Sequence, residues 1–268
     1  MPQPDIPRKL HYCWFGGKPI PEAYQTYMDS WRRQLPDFEL VRWDESSFDM
    51  DACPYFRQAY ENRYWAFASD YARFRILYEQ GGVYLDTDVE VLRPLDDLLE
   101  RGAFLSLEYD LWGDYQVNPG LGMAFPAGHP LLREILDYYE SRDFIVDGEA
   151  DTAHNVCVNT TSVLLPHGLD PKRNEIQTLD GVTVYPTEYL CPIDFFTHEQ
   201  KVTGNTCTIH HYAYTWGSER DARNHRQIRT FIRLFGRRAG PRLWHTASLP
   251  RLAVGRIRKR FNTGCGKI

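Results

Sequence analysis

The stretch GGVYLDTDVEV, residues 81–91, joins a glycine pair to a short apolar run and then to two aspartates, Asp86 and Asp88. Before it, apolar residues from Tyr64 to Tyr78 recur at helical spacing, and the glycine pair supplies a helix stop. VYL then predicts a buried strand, so the two aspartates follow the point where that strand leaves its sheet. In open α/β sheets the carboxyl ends of the strands are where ligands bind.

Two carboxylates one residue apart repel each other and raise each other's pKa unless they share a cation. Mg²⁺ and Mn²⁺ prefer hard oxygen ligands, and a divalent ion also bridges phosphate groups. Asp86 and Asp88 therefore predict a metal site that holds a diphosphate. By itself the pattern is weak evidence, because Asp-x-Asp also occurs in exposed turns.

The N-terminal part of the chain predicts a β-α-β unit. LHYCWF, residues 10–15, is a short apolar run that enters a Gly-Gly loop, and it predicts a buried strand. A helix follows from Pro21, with one apolar face that runs from Tyr24 to Leu35. FELVRW, residues 38–43, predicts the next strand. This alternation predicts an α/β fold, and such units commonly hold a nucleotide at their strand ends.

Composition and cysteine spacing exclude several classes of protein. The 268 residues are 43% apolar and 25% charged, which is ordinary for a globular protein, and the aromatic share of 14% is high. Six cysteines lack any zinc-like spacing, so neither a disulfide framework nor a structural zinc is predicted. There is no run of eighteen apolar residues, and the N-terminus lacks the apolar stretch of a signal peptide. We therefore expect a cytoplasmic protein.

The C-terminal part differs in charge from the rest of the chain. After Asp221 there is no acidic residue, but there are eleven arginines and two lysines. RQIRTFIRLFGRR, residues 226–238, has the pattern of a basic amphipathic helix. This helix could contact an anionic membrane surface or an anionic partner, or it could be a solvated helix packed on an acidic domain. Nucleic acid is disfavoured, because the body of the protein is acidic and no binding motif accompanies the helix.

Three blocks of sequence resemble one enzyme family. SDYARFRILYEQGGVYLDTDV, residues 69–89, resembles the DXD-containing sugar-binding region of the family 32 glycosyltransferases, which include capsule-type transferases and Och1-like mannosyltransferases. IPRKLHYCWFGGKPIP, residues 6–21, is similar to the opening strand and loop of that family, and IHHYAYTW, residues 209–216, is similar to its C-terminal histidine-containing segment. The blocks occur in the family's order.

The resemblance implies an α/β fold of the GT-A type over residues 1–220, followed by a basic helical extension over 221–268. The donor-binding half would be about residues 1–110 and the acceptor half about 111–220. It also implies an activity: metal-dependent transfer of a hexose from a nucleotide sugar, with UDP favoured, to a glycan or lipid-linked acceptor hydroxyl. The anomeric configuration would be retained, and the expected process is the synthesis of a surface or capsular polysaccharide.

Five residues match donor-binding positions of the family. Trp14 matches an aromatic residue that stacks on the nucleotide base, and an indole suits a flat ring. Asp70 and Arg73 match positions that contact the ribose or the sugar, and they lie on one face of the predicted helix. Tyr84 and Asp86 also match donor-contacting positions. The alternatives stay open: Trp14 as a core residue, and Asp70 with Arg73 as a plain ion pair within the helix.

For the metal, which is expected to be Mn²⁺ or Mg²⁺, Asp88 matches the direct ligand. Transferases of this architecture often complete the coordination with a histidine or a small polar residue near the end of the catalytic domain. We expect His211 to take this role, because its neighbours match the pattern best and strand alternation sends His210 to the opposite face. The alternative for His211 is a histidine satisfied within the core.

Four further residues are candidates for the donor site. Trp216 and Ser218 are expected to approach the diphosphate, although the chain has TWGSE where relatives often have GSW. Asn118 and Gly120 could line the sugar pocket, and turn formation explains them equally well.

The expected catalytic group consists of the metal with Asp86, Asp88 and Arg73. Together they would stabilise the charge on the departing nucleoside diphosphate. No carboxylate is identified as a nucleophile or general base, although Glu108 and Asp114 are available.

Two other classes of protein use similar residues. Phosphatases of the haloacid dehalogenase type have Asp-x-Asp after an apolar strand, but they require Thr or Val where this chain has Glu90. A non-catalytic protein of the same fold that binds a nucleotide sugar or a carbohydrate is the other alternative, and the intact aspartate pair argues against it.

Overall fold

The computed structural model describes residues 5–213 and 219–263, with side chains for 5–213 and 223–248. The chain forms two compact units. The first consists of Met1–Tyr109 and Asp114–Trp216, and the second of Asp110–Gly113 and Gly217–Ile268.

The first unit alternates short strands and helices. Its strands are β1 Lys9–Cys13, β2 Glu39–Trp43, β3 Gly82–Tyr84, β4 Val89–Val91, β5 Phe104–Tyr109, β6 Tyr115–Val117, β7 Met123–Phe125, β8 Ile145–Val146, β9 Glu149–Ala150, β10 Gln177–Leu179, β11 Val182–Tyr185 and β12 Thr208–His210. Its helices are α1 Glu22–Gln34, α2 Pro54–Glu61, α3 Trp65–Gln80, α4 Asp96–Leu99, α5 Pro130–Glu140, α6 Val156–Leu164 and α7 Thr187–Leu190.

A mixed sheet forms the centre of this unit, with the strand order β10-β11-β5-β7-β3-β1-β2, and β6 pairs with β5. Strands β2, β1 and β3 run parallel to one another, as expected for the β-α-β unit, and β7 runs antiparallel to both β3 and β5. Two hydrophobic clusters pack within the unit, one containing the buried face of α3 and the other that of α1. The predicted α/β fold is therefore confirmed.

The connection from α3 to β3 is tight, and only glycine fits it. Gly81 ends α3 with a φ of 63°, and Gly82 begins β3 with a φ of 106°, a region that side-chain-bearing residues rarely adopt. A Cβ atom on Gly82 would lie 2.7 Å from the carbonyl oxygen of Lys9 in β1. The glycine pair thus lets α3 return directly into the sheet beside β1, and this sets where β3 ends.

A second, two-stranded sheet pairs β4 with β12 in antiparallel fashion, with His210 opposite Val89. Helix α1 holds β4 in place: the indole of the fully buried Trp31 donates a hydrogen bond to the Val89 carbonyl at 2.7 Å, and the Val91 amide donates to Ser30 Oγ at 2.8 Å. The segment after the aspartate pair is therefore fixed on one side by α1 and on the other by a strand from near residue 210.

The second unit contains α8, Glu219–Thr263, which is interrupted at Gly236, where φ is 80°. A Cβ atom on Gly240 would lie 2.6 Å from the Phe231 carbonyl oxygen, and the Trp244 indole donates to Gln227 Oε1 at 3.1 Å. These contacts join residues on opposite sides of Gly236 at similar distances from it along the chain. The element is therefore a helical hairpin. Among the described residues, no helix is long and apolar enough to cross a membrane.

Candidate metal centre

Two carboxylates and one histidine meet beyond the carboxyl end of β3. Asp86 and Asp88 lie on the turn from β3 to β4, and the pairing of β12 with β4 brings His210 beside them. His210 Nε2 lies 3.1 Å from Asp88 Oδ1 and 3.9 Å from Asp86 Oδ2. One ligand atom from each of the three residues falls within 4.8 Å of the others, a spacing at which one cation can be shared. The predicted site for a divalent metal is thus formed by these residues.

The histidine in this cluster is His210, whereas the sequence favoured His211. His211 Nε2 instead contacts Glu90 Oε2 at 2.9 Å, and its ring stacks on Tyr27 with centroids 4.3 Å apart. His210 is the last residue of β12 and His211 follows it, and the two side chains contact different residues. Which of them faces the aspartates depends on the register of β12 on β4, and the sequence pattern does not encode that register.

The charges in the cluster are coupled. Burial raises the pKa of Asp88, but the charge and hydrogen bond of His210 and the amide of Ala213 outweigh burial and hold it well below its usual value. Burial lowers the pKa of His210, but Asp88 outweighs it and raises the pKa above its usual value. The positively charged form of His210 is thus favoured at this place beside the carboxylates. A divalent ion that took this place would use the imidazole as a ligand instead.

The backbone after β12 holds Asp88 from a second side. The His211 amide donates to the Asp88 carbonyl at 3.0 Å, and the Ala213 amide donates to Asp88 Oδ2 at 2.9 Å. Between them, Tyr212 adopts a left-handed φ of 49°, which is uncommon for a residue other than glycine. Backbone strain of this kind persists only where surrounding contacts enforce it. In this conformation, the amides on both sides of Tyr212 donate hydrogen bonds to Asp88.

Glu108 helps to hold Tyr212 in this conformation, because it accepts a hydrogen bond from the tyrosine hydroxyl. No role was predicted for Glu108 from the sequence. Its carboxylate is buried and accepts hydrogen bonds from Tyr212 Oη at 2.9 Å, Asn118 Nδ2 at 2.8 Å, Gln116 Nε2 at 2.9 Å and Cys157 Sγ at 3.2 Å. Both carboxylate oxygens are therefore engaged in positioning neighbouring groups. No motif marks Glu108, because its partners come from three separate parts of the chain.

Arg73 contacts Asp86 and is almost completely buried. Its Nη2 lies 3.0 Å from Asp70 Oδ1 and 3.3 Å from Asp86 Oδ1, and its guanidinium covers the ring of Tyr84 at 4.9 Å from the centroid. Tyr84 Oη in turn donates to Asp86 Oδ1 at 3.1 Å. Asp70, Arg73, Tyr84 and Asp86, all predicted as donor-site residues, thus form one contact group. The predicted alternative of an ion pair within the helix is also present, since Asp70 and Arg73 both lie in α3.

Burial shapes the protonation of this group. It raises the pKa of Asp70 to about 7 against the opposing charge of Arg73. For Arg73 the two carboxylates and Tyr84 outweigh burial, and the pKa is raised. The guanidinium therefore keeps its charge at neutral pH in a site shielded from water, where a charge acts more strongly on its neighbours.

Gly120 makes room for Asp86. The Asp86 amide donates to the Gly120 carbonyl at 3.1 Å, and a Cβ atom on Gly120 would lie 1.9 Å from Asp86 Oδ2. Asn118 caps this turn, because its Oδ1 accepts from the Gly120 amide at 2.8 Å while its Nδ2 donates to Glu108. The amide of Asn118 thus shapes the loop, in agreement with the turn interpretation of this segment.

Trp14 lies just beyond β1 and is half-buried. Its indole donates to the Lys18 carbonyl at 2.7 Å, and its ring lies 5.7 Å from that of Tyr24, centroid to centroid. It is therefore not a core tryptophan, and part of the indole stays accessible. Trp216 and Ser218, the other two predicted donor-site residues, lie outside the residues that the structure describes.

A cavity of about 610 Å³ opens at the carboxyl ends of β1 and β2, the same edge of the sheet as the aspartates. It is lined by Gly16, Gly17, Lys18, Glu45, Tyr60, Arg63 and Trp65. Glu45 Oε1 accepts from the Gly16 amide at 2.5 Å and from Tyr60 Oη at 3.1 Å. A carboxylate held by two donors at the wall of a cavity suits a ligand that carries hydroxyl or N–H groups.

An Asp-x-Asp pair beside a buried arginine, at the carboxyl edge of a mixed sheet, is the arrangement expected of a GT-A type sugar-transferring protein. Residues 21–105 match the family described as the glycosyltransferase sugar-binding region containing the DXD motif. This region of the chain, which runs from α1 to β5, matches the model of that family, and the resemblance stated from the sequence is confirmed.

Similar proteins include several glycosyltransferases. Inositol phosphoceramide mannosyltransferase 3 of Schizosaccharomyces pombe is 34% identical over 138 residues, 49% of this chain and 36% of that protein. The initiation-specific alpha-1,6-mannosyltransferase of Candida albicans is 25% identical over 49% of this chain and 42% of that protein. The uncharacterized glycosyltransferase L373 of Acanthamoeba polyphaga mimivirus is 25% identical over 78% of this chain and 82% of that protein. The match thus spans less than half the length of the two fungal enzymes.

Solved structures show weaker likeness. The PaToxG glycosyltransferase has a TM-score of 0.48 at 19% identity and covers 62% of this chain and 71% of its own. The galactosyltransferase LgtC has a TM-score of 0.41 at 14% identity and covers 80% of this chain and 94% of its own. These scores are too low to support conclusions about function.

Proposed function

We propose that this protein is a metal-dependent glycosyltransferase that moves a hexose from a nucleotide sugar to an acceptor hydroxyl. The observation that carries the proposal is the convergence of Asp86, Asp88 and His210 next to the buried Arg73, within a region that matches the model of a sugar-binding family. Two carboxylates and an imidazole that meet at a strand end are suited to a cation, and a cation there is suited to a diphosphate.

The metal ligands in this proposal are Asp88 and His210, with Asp86 either as a ligand or as a contact to the donor. Two hard oxygen donors and one imidazole suit Mn²⁺, and Mg²⁺ is the alternative. When bound, the ion would neutralise charge on the diphosphate as the glycosidic bond opens. The chain's own contribution is to hold the ligands in place: α1 anchors β4, β12 delivers His210, and the 211–213 backbone fixes Asp88.

Arg73 is the second source of positive charge. It is already fixed by Asp70 and Asp86, so it needs little reorganisation to stabilise the departing nucleoside diphosphate. Tyr84 orients Asp86 through its hydroxyl, and its ring covers one face of the Arg73 guanidinium. In this proposal Asp70 is a positioning residue for Arg73.

The nucleoside part of the donor would extend along the edge of the sheet towards the cavity beyond β1 and β2. Neighbouring strands are about 4.8 Å apart, so two strand spacings from β3 give about 10 Å, which suits the reach from a diphosphate to a nucleoside. Glu45 would accept from ribose hydroxyls, as acidic residues after a second strand do in dinucleotide-binding folds, and Trp14 would stack on the base. UDP is proposed as the nucleotide of a hexose donor in general, and GDP takes its place where the hexose is mannose, which is normally activated as a GDP ester.

The remaining features of the reaction are proposed from the resemblance and the relatives. Mannose is the favoured sugar, because several similar proteins are named as mannosyltransferases. A lipid-linked or surface glycan as acceptor is supported by the name of one relative, which includes inositol phosphoceramide. Retention of configuration, a role in capsule-type polysaccharide synthesis and a cytoplasmic location are carried forward as proposals on the same basis.

The first test is cleavage of a nucleotide-sugar panel with and without Mn²⁺. We expect slow, Mn²⁺-dependent release of the nucleoside diphosphate, and we expect Asp88→Asn to reduce it by about 100-fold or more, because the variant removes a charged ligand of the ion. Asp29→Asn is the matched control, since Asp29 is an exposed aspartate of α1 that contacts only Arg32 among the described ion pairs.

Full activity of Asp88→Asn would refute the proposal. If a nucleotide sugar raised the melting temperature without being cleaved, the chain would be a binding protein of the same fold. Release of inorganic phosphate from simple esters would indicate a phosphatase.

A further inference from the structure

The helical hairpin of the second unit ends in an apolar tip. Gly236 turns the chain, and Leu234 and Phe235 stand immediately before it; we call these three residues the hairpin tip. Leu234 is 69% exposed and Phe235 is 51% exposed, and both are among the most exposed large apolar residues of the described chain. They are consecutive residues just before the turn between the two arms, so both apolar side chains lie at the same end of the hairpin.

The apolar stripe of the first arm is divided into two parts. Ile228 and Ile232 are 3% and 7% exposed and lie towards the body of the hairpin, where the second arm approaches closely at Gly240. Phe235 continues the same helical face beyond that contact and is exposed. Packing within the hairpin therefore explains the buried isoleucines but leaves the tip uncovered.

Positive charge surrounds the tip. Arg233 and Arg238 are exposed on either side of it, and Arg226 is exposed about two turns earlier on the first arm. Residues 223–248 contain seven arginines and no acidic residue. An apolar tip between guanidinium groups matches the boundary of a lipid bilayer, where acyl chains lie just below anionic headgroups.

We propose that the hairpin tip docks on an anionic lipid bilayer, with Leu234 and Phe235 inserted at the headgroup boundary and the neighbouring arginines on lipid phosphates. A bilayer is favoured over an acidic protein because the exposed apolar surface consists of only two side chains at a turn, flanked by arginines. It is favoured over nucleic acid because two uncharged aliphatic and aromatic side chains occupy the centre of the basic surface. This proposal does not depend on the proposed transferase activity.

The test is flotation of the full chain with lipid vesicles. We expect it to float with phosphatidylcholine vesicles that contain phosphatidylglycerol, and to stay unbound with phosphatidylcholine alone. The double variant Leu234→Ser/Phe235→Ser should lower the partition coefficient by about tenfold or more, because it removes the inserted apolar surface. Arg233→Gln/Arg238→Gln should lower it by about 20- to 30-fold, since each arginine near an anionic surface contributes about fivefold.

The matched control is Val146→Ser/Leu165→Ser, which removes two apolar side chains that are 50% and 48% exposed in the first unit. This variant should float like the unaltered chain. Circular dichroism of each variant establishes that the helical content is unchanged.

A labelled variant tests insertion directly, with Leu234 kept and a fluorophore in place of the Phe235 ring. The five described cysteines are buried, so Phe235→Cys in a Cys265→Ser background gives one accessible site for an environment-sensitive fluorophore. We expect a blue shift when anionic vesicles are added.

Three results would overturn the proposal: no flotation of the unaltered chain with anionic vesicles, flotation that survives Leu234→Ser/Phe235→Ser, or a label at position 235 that stays in water. A change of mass in light scattering caused by the tip variants, without any lipid effect, would instead assign the tip to self-association.

Discussion

At the scale of single residues, the cation site depends on groups that are far apart in the chain. Asp86 and Asp88 were identifiable from their spacing after a strand, and Arg73 from the family resemblance of residues 69–89. Glu108 was not, because a carboxylate that holds Tyr212 and Asn118 in place leaves no pattern along the sequence. Local patterns thus identify the groups that contact ligands better than they identify the groups that position them.

The two adjacent histidines provide a sharp test at this scale. His210→Ala should weaken Mn²⁺ binding by about 10- to 100-fold, because it removes an imidazole that contacts both aspartates. His211→Ala removes a contact with Glu90 and a stack on Tyr27, and should change Mn²⁺ binding by about threefold at most. Titration of Mn²⁺ followed by thermal unfolding measures both. Equal losses in the two variants would contradict the assignment to His210.

At the scale of elements, the strands and helices near the site followed the sequence closely. The predicted strand from Leu10 is observed as Lys9–Cys13, and the predicted helix from Pro21 is observed as Glu22–Gln34. Helix α2 and strand β4 were not anticipated. Strand β4 has only three residues, and it exists because α1 and β12 hold it in place, so its signal lies in tertiary contacts rather than in local pattern.

The glycine turn before β3 gives an element-scale prediction. Gly82→Ala should destabilise the protein by about 3 kcal/mol, because it adds a clash with the Lys9 carbonyl to a strained φ of 106°. Gly148→Ala is the matched control, since Gly148 has a φ of 78° but no atom within 4 Å of an added Cβ, and it should cost about 1 kcal/mol. Urea unfolding of both variants separates the clash from the backbone strain. Similar losses of stability in the two variants would show that β1 shifts to accommodate the added methyl group.

At the scale of the whole molecule, the alternation of strand and helix patterns predicted an α/β body, and the charge pattern predicted a basic helical extension. They did not predict that the extension folds back at Gly236, because a single glycine in a helical pattern is also compatible with one continuous helix. The order of the strands in the sheet likewise depends on long-range pairing, which residue periodicity does not specify.

A pH dependence of unfolding is expected from a contact that ties distant parts of the first unit together. His167 Nε2 lies 2.9 Å from Glu134 of α5, and its Nδ1 lies 2.7 Å from Asp180 in the turn between β10 and β11. Hydrogen bonds to Asp180 and Glu134 raise the pKa of His167 above 6.5. The stabilisation is therefore fully present below pH 6.5 and is lost as the pH rises through the raised pKa.

Because the two carboxylates are largely exposed, the effect should be at most about 1 kcal/mol. His167→Gln should remove it, which melting temperatures measured across this pH range would reveal as a flatter profile. If the contacts of His167 with Glu134 and Asp180 contributed nothing, the melting temperatures of the unaltered chain and of the variant would change with pH in parallel.

The pairing of β4 with β12 also has a consequence for biosynthesis. Because the cation cluster takes two members from positions 86 and 88 and the third from position 210, a chain emerging from the ribosome carries an incomplete set of ligands until most of the first unit has been translated. In the proposed enzyme, capture of the divalent ion would therefore come late in synthesis, after His210 has joined the two aspartates.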